Sequence, residues 1–166
     1  LYLLVDEYQD TNGSQNAILQ HLMDYWENPN IFIVGDDDQS IYEFQGARLR
    51  NITDFHAQFK EHLSLILLES NYRSSQPILD TAASLINLNQ KRLINALDGI
   101  QLEKHLVASH SDTKFATTSP IVISYENRMQ EAIDIVTQIE QLHQNRFPLN
   151  EVAIIYAQHR QVQTLI

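Results

Sequence analysis

Two apolar runs in this chain end in carboxylates. Leu3-Leu4-Val5 leads into Asp6-Glu7-Tyr8-Gln9-Asp10, and further along Ile31-Phe32-Ile33-Val34 leads through Gly35 into Asp36-Asp37-Asp38-Gln39-Ser40. In an open parallel sheet the ligand crevice lies beyond the carboxyl ends of the strands. Two adjacent strands tipped with acids can therefore bring a divalent cation and a water-activating base together. Mg²⁺ suits such a place, because it takes one or two carboxylates and completes its shell with water and substrate phosphate oxygens. That is the layout of a nucleoside triphosphatase. Asp36, Asp37 and Asp38 cannot all ligate one metal beside Asp6 without severe repulsion. Some of them are expected to cap the following turn instead.

The elements that must position these acids read as alternating strands and helices, which means parallel α/β layers. After the first acidic cluster, Asn12 or Ser14 is expected to cap a helix with Ile18, Leu22, Tyr25 and Trp26 on its buried face, ended by Asn28-Pro29-Asn30. The strand Ile31–Val34 is apolar on both faces and is expected to be central. Ile52, Phe55 and Phe59 mark an amphipathic stretch, and Leu63–Leu68 reads as a third apolar strand. Gln76-Pro77 opens a helix that should bury Ile78, Leu79, Ala82, Ala83 and Ile86, since Pro is tolerated in the first turn. Residues 91–120 are polar and weakly patterned, and no chemistry is inferred from them. Ile121–Tyr125 and Val152–Tyr156 read as strands flanking a helix over Met129–Gln144, with Ala132, Ile133, Val136, Ile139 and Leu142 inward.

The chain has 166 residues, 43% of them hydrophobic, and no cysteine. Disulfides and thiolate metal sites are therefore excluded. The absence of an apolar run of membrane-spanning length argues against insertion, and the expected location is the cytoplasm. The net charge of −10 is uneven: most acids precede residue 70, while the remainder is nearly balanced. Such a balance argues against a simple nucleic-acid coat, because backbone binding is dominated by Lys and Arg. It leaves room for a narrow groove with few contacts. The seven histidines lack metal-ligand spacing and read as surface or packing positions. Trp26, at helical spacing with Leu22, reads as core.

Three blocks in order, Val5-Asp6-Glu7-Tyr8-Gln9-Asp10-Thr11-Asn12, then Val34-Gly35-Asp36-Asp37-Asp38-Gln39-Ser40-Ile41-Tyr42, then Leu68-Glu69-Ser70-Asn71-Tyr72-Arg73-Ser74, resemble motifs II, III and IV of the UvrD/Rep/PcrA family of superfamily 1 DNA helicases. The motif-bearing similarity covers about residues 1–87, and a looser match runs on through Val152–Tyr156. The resemblance implies an incomplete RecA-like P-loop NTPase motor fold in two parts. Residues 1–69 would belong to the first motor domain and residues 70–166 to the second. It implies ATP and Mg²⁺ as cofactors and single-stranded DNA and duplex junctions as partners. Asp6 would hold Mg²⁺, either directly or through a water on the ion, and Glu7 would polarise the attacking water. Gln39 would sense the γ-phosphate, which an amide that both donates and accepts is suited to do. Arg73 would contact the γ-phosphate and Tyr72 would stack on adenine. Tyr42 and Phe44 would face DNA. Relatives usually carry Trp where this chain has Phe44, Arg where it has Gln45, and often Arg where it has Ala157. Phe still stacks on a base, while Gln45 lacks a charge.

No Gly-Lys-Thr/Ser phosphate loop occurs in these residues. The expectation is an internal piece of a longer helicase, inactive alone, whose parent translocates 3′ to 5′ on DNA in repair or recombination. Two rivals stand beside it. A metal-dependent nuclease would need a Lys near the acids, and the first lysine is Lys60. A helicase-like interaction scaffold that has lost hydrolysis is disfavoured by intact Asp6, Glu7, Gln39 and Arg73, and kept open by Gln45.

Overall fold

The computed structural model describes residues 2–42, 50–89, 92, 104–113 and 115–163. Phe44 and Gln45 lie outside the described residues. The chain forms two compact units, 1–120 and 121–166.

The first unit is built on two short parallel strands, β1 (Leu3–Val5) and β2 (Ile31–Ile33), in register Leu3↔Ile31, Leu4↔Phe32 and Val5↔Ile33. A parallel pair needs a crossover, and helix α1 (Gly13–Met23) supplies it. Asn12 starts α1 with a capping box: its side chain accepts from the N–H groups of Ser14 and Gln15, and the Gln15 side chain accepts from the Asn12 N–H. Leu3, Val5, Ile31 and Ile33 share one face of the pair. They pack with Leu19 and Met23 of α1 and with Ile52, Phe55 and Phe59 of α2 (Arg50–Phe59) around the buried Tyr8. Tyr8 meets Phe55 edge to face, with ring centroids 5.8 Å apart.

The opposite face of the pair carries the exposed Leu4 and Phe32, so β2 is covered on one side and not the two expected of a central strand. Helix α1 also buries a different stripe from the one expected. Met23 is inside and Leu19 lies partly so, whereas Ile18 and Leu22 face out. The helix stops at Met23, before Asn28-Pro29-Asn30, so Tyr25 and Trp26 fall beyond it and pack on each other. Sheet contacts outweighed the simple period.

Residues 63–69 form no strand ladder among the described residues, and Leu65–Leu68 are exposed. The ladder begins only at β3 (Ser70–Asn71), which pairs in parallel with β4 (Val107–Ala108). Helix α3 (Gln76–Ile86), with Pro at its first turn, buries Leu79, while Ile78, Ala82 and Ala83 are exposed. Gln76 ties α3 to this second pair: its Nε2 donates to the Leu106 carbonyl at 3.1 Å and its Oε1 accepts from the Ala108 N–H at 2.9 Å.

The second unit is organised by α4 (Arg128–Gln144), capped by the Asn127 side chain on the Gln130 N–H. Ala132 is buried there, whereas Ile133 and Val136 are exposed. Ile121–Tyr125 and Val152–Tyr156 form no ladder among the described residues, which corrects their reading as strands.

Helix α2 is locked to the first acidic turn by Asn51, whose buried Nδ2 donates to the Thr11 carbonyl at 2.9 Å and to Thr11 Oγ1 at 3.1 Å. Asn51→Ala strips both bonds and leaves the Thr11 carbonyl without this donor. A loss of about 1–3 kcal/mol is expected, read as a lower urea midpoint at unchanged slope.

Candidate functional site

The β1–β2 ladder continues past the strands. Val34 N–H donates to the Val5 carbonyl at 2.8 Å, and Tyr8 N–H donates to the Val34 carbonyl at 2.9 Å. Between these two bonds the backbone makes room for Asp6 and Glu7, and Glu7 takes a left-handed conformation with φ 49°. This is uncommon for a residue with a side chain. It turns the chain into a 3₁₀ turn, Tyr8–Asp10, so that the two acids stand exposed at the strand end while Tyr8 and Gln9 are buried.

Asp6 Oδ1 accepts from the Glu7 N–H at 2.9 Å. Glu7 Oε2 accepts from Gln9 Nε2 at 2.6 Å, and Gln9 Oε1 accepts from the Asp36 N–H at 3.0 Å. The second acidic cluster is thus joined to the first through one buried amide. As expected of this cluster, Asp36 caps the turn Asp37–Gln39 by accepting from the Asp38 N–H at 3.1 Å. Its other oxygen accepts from Gln39 Nε2 at 2.7 Å.

Carboxylate oxygens of Asp36, Asp37 and Asp38 lie within 4.8 Å of one another. Protein cations occupy this cluster. Arg92 makes a two-pronged contact, Nε to Asp38 Oδ1 and Nη2 to Asp38 Oδ2, each 2.7 Å. Lys104 Nζ contacts Asp36 and lies 2.9 Å from Asp38 Oδ2. Burial works against the charge of Asp38, but the hydrogen bonds from Arg92 and Lys104 outweigh it and hold the carboxyl below its usual range. The hydrogen bond to Asp38 raises the Arg92 guanidinium further. Burial opposes the charge of Lys104, and its bonds to Asp36 and Asp38 overcome that and raise it. Lys104 Nζ also lies 3.8 Å from Asp37 Oδ1, so each of the three acids has a protein cation beside it and the triad does not fit a metal ion. Asp6 fits better: it is an exposed carboxylate that binds only its neighbour's N–H among the described residues.

Asp6, Glu7 and Gln39 are therefore gathered at one end of the first sheet. Tyr72 and Arg73 lie in the turn between β3 and α3. Both are exposed, and Asn71 Oδ1 fixes the turn by accepting from the N–H groups of Arg73 and Ser74 at 2.9 and 2.8 Å. No hydrogen bond or ion pair joins Tyr72 or Arg73 to Asp6, Glu7 or Gln39 among the described residues. Tyr42 is exposed just beyond the Gln39 turn. A cavity of about 300 Å³ in the second unit, lined in part by Arg128, Glu131, Tyr156 and Gln161, contains none of these residues.

Sequence reasoning missed Arg92 and Lys104, which come from the stretch read as without chemistry. The distance of Lys60 from the acids therefore no longer counts against a nuclease, since Lys104 reaches the second cluster. That lysine, however, sits among Asp36, Asp37 and Asp38, and among the described residues it makes no bond to Asp6 or Glu7. Gln9, inside the first motif, carries no sign in the sequence of the bonds it makes to both acidic clusters.

Residues 1–60 match the family model for the UvrD/REP helicase N-terminal domain, and residues 66–166 match that for the UvrD-like helicase C-terminal domain. The chain belongs to the UvrD-like helicase family. Among curated relatives it is 35% identical over 172 residues to the ATP-dependent DNA helicase UvrD1 of Mycobacterium tuberculosis, an alignment that takes in 99% of this chain and 20% of the relative. It is 34% identical over 168 residues to the ATP-dependent DNA helicase PcrA of Bacillus subtilis, again 99% and 20%. It is 38% identical over 165 residues to the ATP-dependent DNA helicase Rep of Buchnera aphidicola, 99% and 23%. The chain thus spans about a fifth of the length of these relatives. No helix among the described residues is long and apolar enough to cross a membrane.

The ion-pair cluster predicts a pH signature. The Asp38 carboxyl is depressed in the folded state, so its contribution is complete above its unfolded value of about 3.9 and is lost as pH falls through the lower folded value. Arg92→Met leaves Asp38 to Lys104 alone. It is expected to cost about 2 kcal/mol at neutral pH and to cost less as pH falls below the unfolded carboxyl value and through the lower folded one, as checked by urea titrations across that range.

Proposed function

We propose that this chain is the part of an ATP-dependent DNA helicase in which hydrolysis is coupled to movement on single-stranded DNA and to duplex unwinding. The observation that carries the reading is the convergence of Asp6, Glu7 and Gln39 at the end of two parallel strands, joined through Gln9 and Asp36. We read residues 1–69 as part of one RecA-like motor domain and residues 70–166 as part of a second. The separate family-model matches to the N-terminal and C-terminal helicase domains support this division.

In this reading Asp6 holds Mg²⁺, which when bound offsets the charge of the ATP phosphates. Glu7 orients the attacking water. Phosphoryl transfer asks the protein mainly for position and charge, so an exposed carboxylate held at a strand end is adequate to the task. Gln39 binds a γ-phosphate oxygen through its amide. Arg73 supplies a guanidinium to the same phosphate and Tyr72 stacks on the adenine. Tyr42 and Phe44, after the Gln39 turn, contact the DNA strand, with travel from 3′ to 5′ and a role in repair or recombination. A phosphate-binding loop has to come from outside these residues, so the chain alone is inactive. A cytoplasmic location follows from the same reading.

The test is DNA-stimulated ATP hydrolysis by the full-length protein, wild type beside Glu7→Gln. A fall of at least a hundredfold in kcat with ATP binding retained is expected. A wild-type protein with no turnover, with or without single-stranded DNA, would sink the motor reading and favour a hydrolysis-deficient interaction scaffold.

A further inference from the structure

We infer that Gln9 is a positioning residue for hydrolysis, holding the Glu7 carboxylate in place and tying it to the loop after β2; this rests on the motor reading above. Gln9 is 1% exposed and spends both ends of its amide: Nε2 donates to Glu7 Oε2 at 2.6 Å, and Oε1 accepts from the Asp36 N–H at 3.0 Å. The orientation of this amide follows from its partners. An ionised carboxylate only accepts and a backbone N–H only donates, so a flipped amide would face oxygen with oxygen and N–H with N–H. Among the described residues no other hydrogen bond holds the Glu7 carboxylate. The residue is exposed and sits on a left-handed turn, so without Gln9 its side chain would sample several rotamers.

Gly35 shows independently that this space is reserved for Gln9. A Cβ at position 35 would lie 2.8 Å from Gln9 Oε1 and 3.4 Å from the Gln9 backbone nitrogen, while the Gly35 backbone is not left-handed. Close approach by the Gln9 amide, and not conformational freedom, is what position 35 requires. The chain of bonds then continues from Asp36 to Gln39 Nε2 at 2.7 Å. Glu7 and Gln39, the two residues assigned to the attacking water and the γ-phosphate, are the ends of one connected set.

Phosphoryl transfer depends little on base strength and strongly on placement, and a misplacement near 1 Å can cost about a hundredfold. The net effect of Gln9 is therefore to accelerate hydrolysis.

The experiment is steady-state ATP hydrolysis by the full-length protein with saturating single-stranded DNA, comparing wild type, Gln9→Met and Gly35→Ala. Met keeps the length of Gln9 and removes both hydrogen bonds. For Gln9→Met, kcat is expected to fall about ten- to a hundredfold, with KM and the affinity for a non-hydrolysable ATP analogue within about twofold. Gly35→Ala, which displaces the amide from the other side, should lower kcat in the same way by a smaller factor. In a Glu7→Gln background, Gln9→Met should change the residual rate less than about twofold, because a residue acting through Glu7 has nothing left to position. Wild-type kcat in Gln9→Met overturns the role, and so does a full additional loss in the Glu7→Gln background. If Gln9→Met does not fold, unchanged kcat in Gly35→Ala overturns it equally. Wild-type protein without turnover overturns the motor reading and this role together, whereas active wild type with unaffected variants overturns this role alone.

Discussion

The site depends on the parallel ladder between β1 and β2 running on beyond the strands. Because Val34 N–H reaches the Val5 carbonyl and Tyr8 N–H then reaches the Val34 carbonyl, the two strands end side by side and in step. Acidic segments some distance apart in sequence are delivered to one edge by backbone bonds alone, before any side chain has acted. Tyr8 then anchors the excursion from below. It is packed on Phe55, and its hydroxyl donates to Asn16 Oδ1 of α1 at 2.7 Å. Strand, crossover helix and α2 thus fix the place at which Asp6 and Glu7 emerge.

Five acids crowd this edge, and the chain treats the two groups differently. Within the triad, oxygens less than 5 Å apart repel by about 3 to 4 kcal/mol per pair at an effective dielectric near 20. Arg92 and Lys104 offset that repulsion and compact the loop that bears Gln39. Ion pairs this sheltered gain little net stability over apolar packing, since desolvation cancels much of the attraction. Their effect here is to keep the loop in one arrangement and to remove its acids from competition for a cation. Asp6 and Glu7 receive no such cation among the described residues and stay open to solvent.

The placement of the candidate residues was largely legible because it is local. Asp6, Glu7 and Gln39 follow apolar strands directly, and the strands, the Asn12 cap, the Pro at the start of α3 and the span of α4 each left a short-range signal. Burial was read less well. Apolar residues at helical spacing, such as Ile18, Leu22 and Ile133, are exposed, because which stripe is buried depends on what packs against it and not on period alone. Leu63–Leu68 and Ile121–Tyr125 have strand composition but pair with no strand among the described residues, and a ladder needs two members. Arg92 and Lys104 carried no local signal whatever. Their partners lie far back in the sequence, and only the excess of acids hinted that a cation must come from somewhere.

The left-handed backbone at Glu7 is where these constraints meet. A non-glycine residue there costs on the order of 1–3 kcal/mol, and Gly would relieve it but supply no carboxylate. The strain is held by bonds on both sides: the Tyr8 N–H on the Val34 carbonyl, the Thr11 N–H and hydroxyl on the Tyr8 carbonyl, and the Gln9 amide on the Glu7 side chain itself. A carboxylate introduced at a relaxed turn would need none of this support, and would also have no reason to point consistently in one direction. The unfavourable conformation is therefore informative. It puts the Glu7 side chain next to Asp6 at the open strand end while leaving Gln9 buried beneath it, an arrangement that a regular strand, with successive side chains on opposite faces, could not produce.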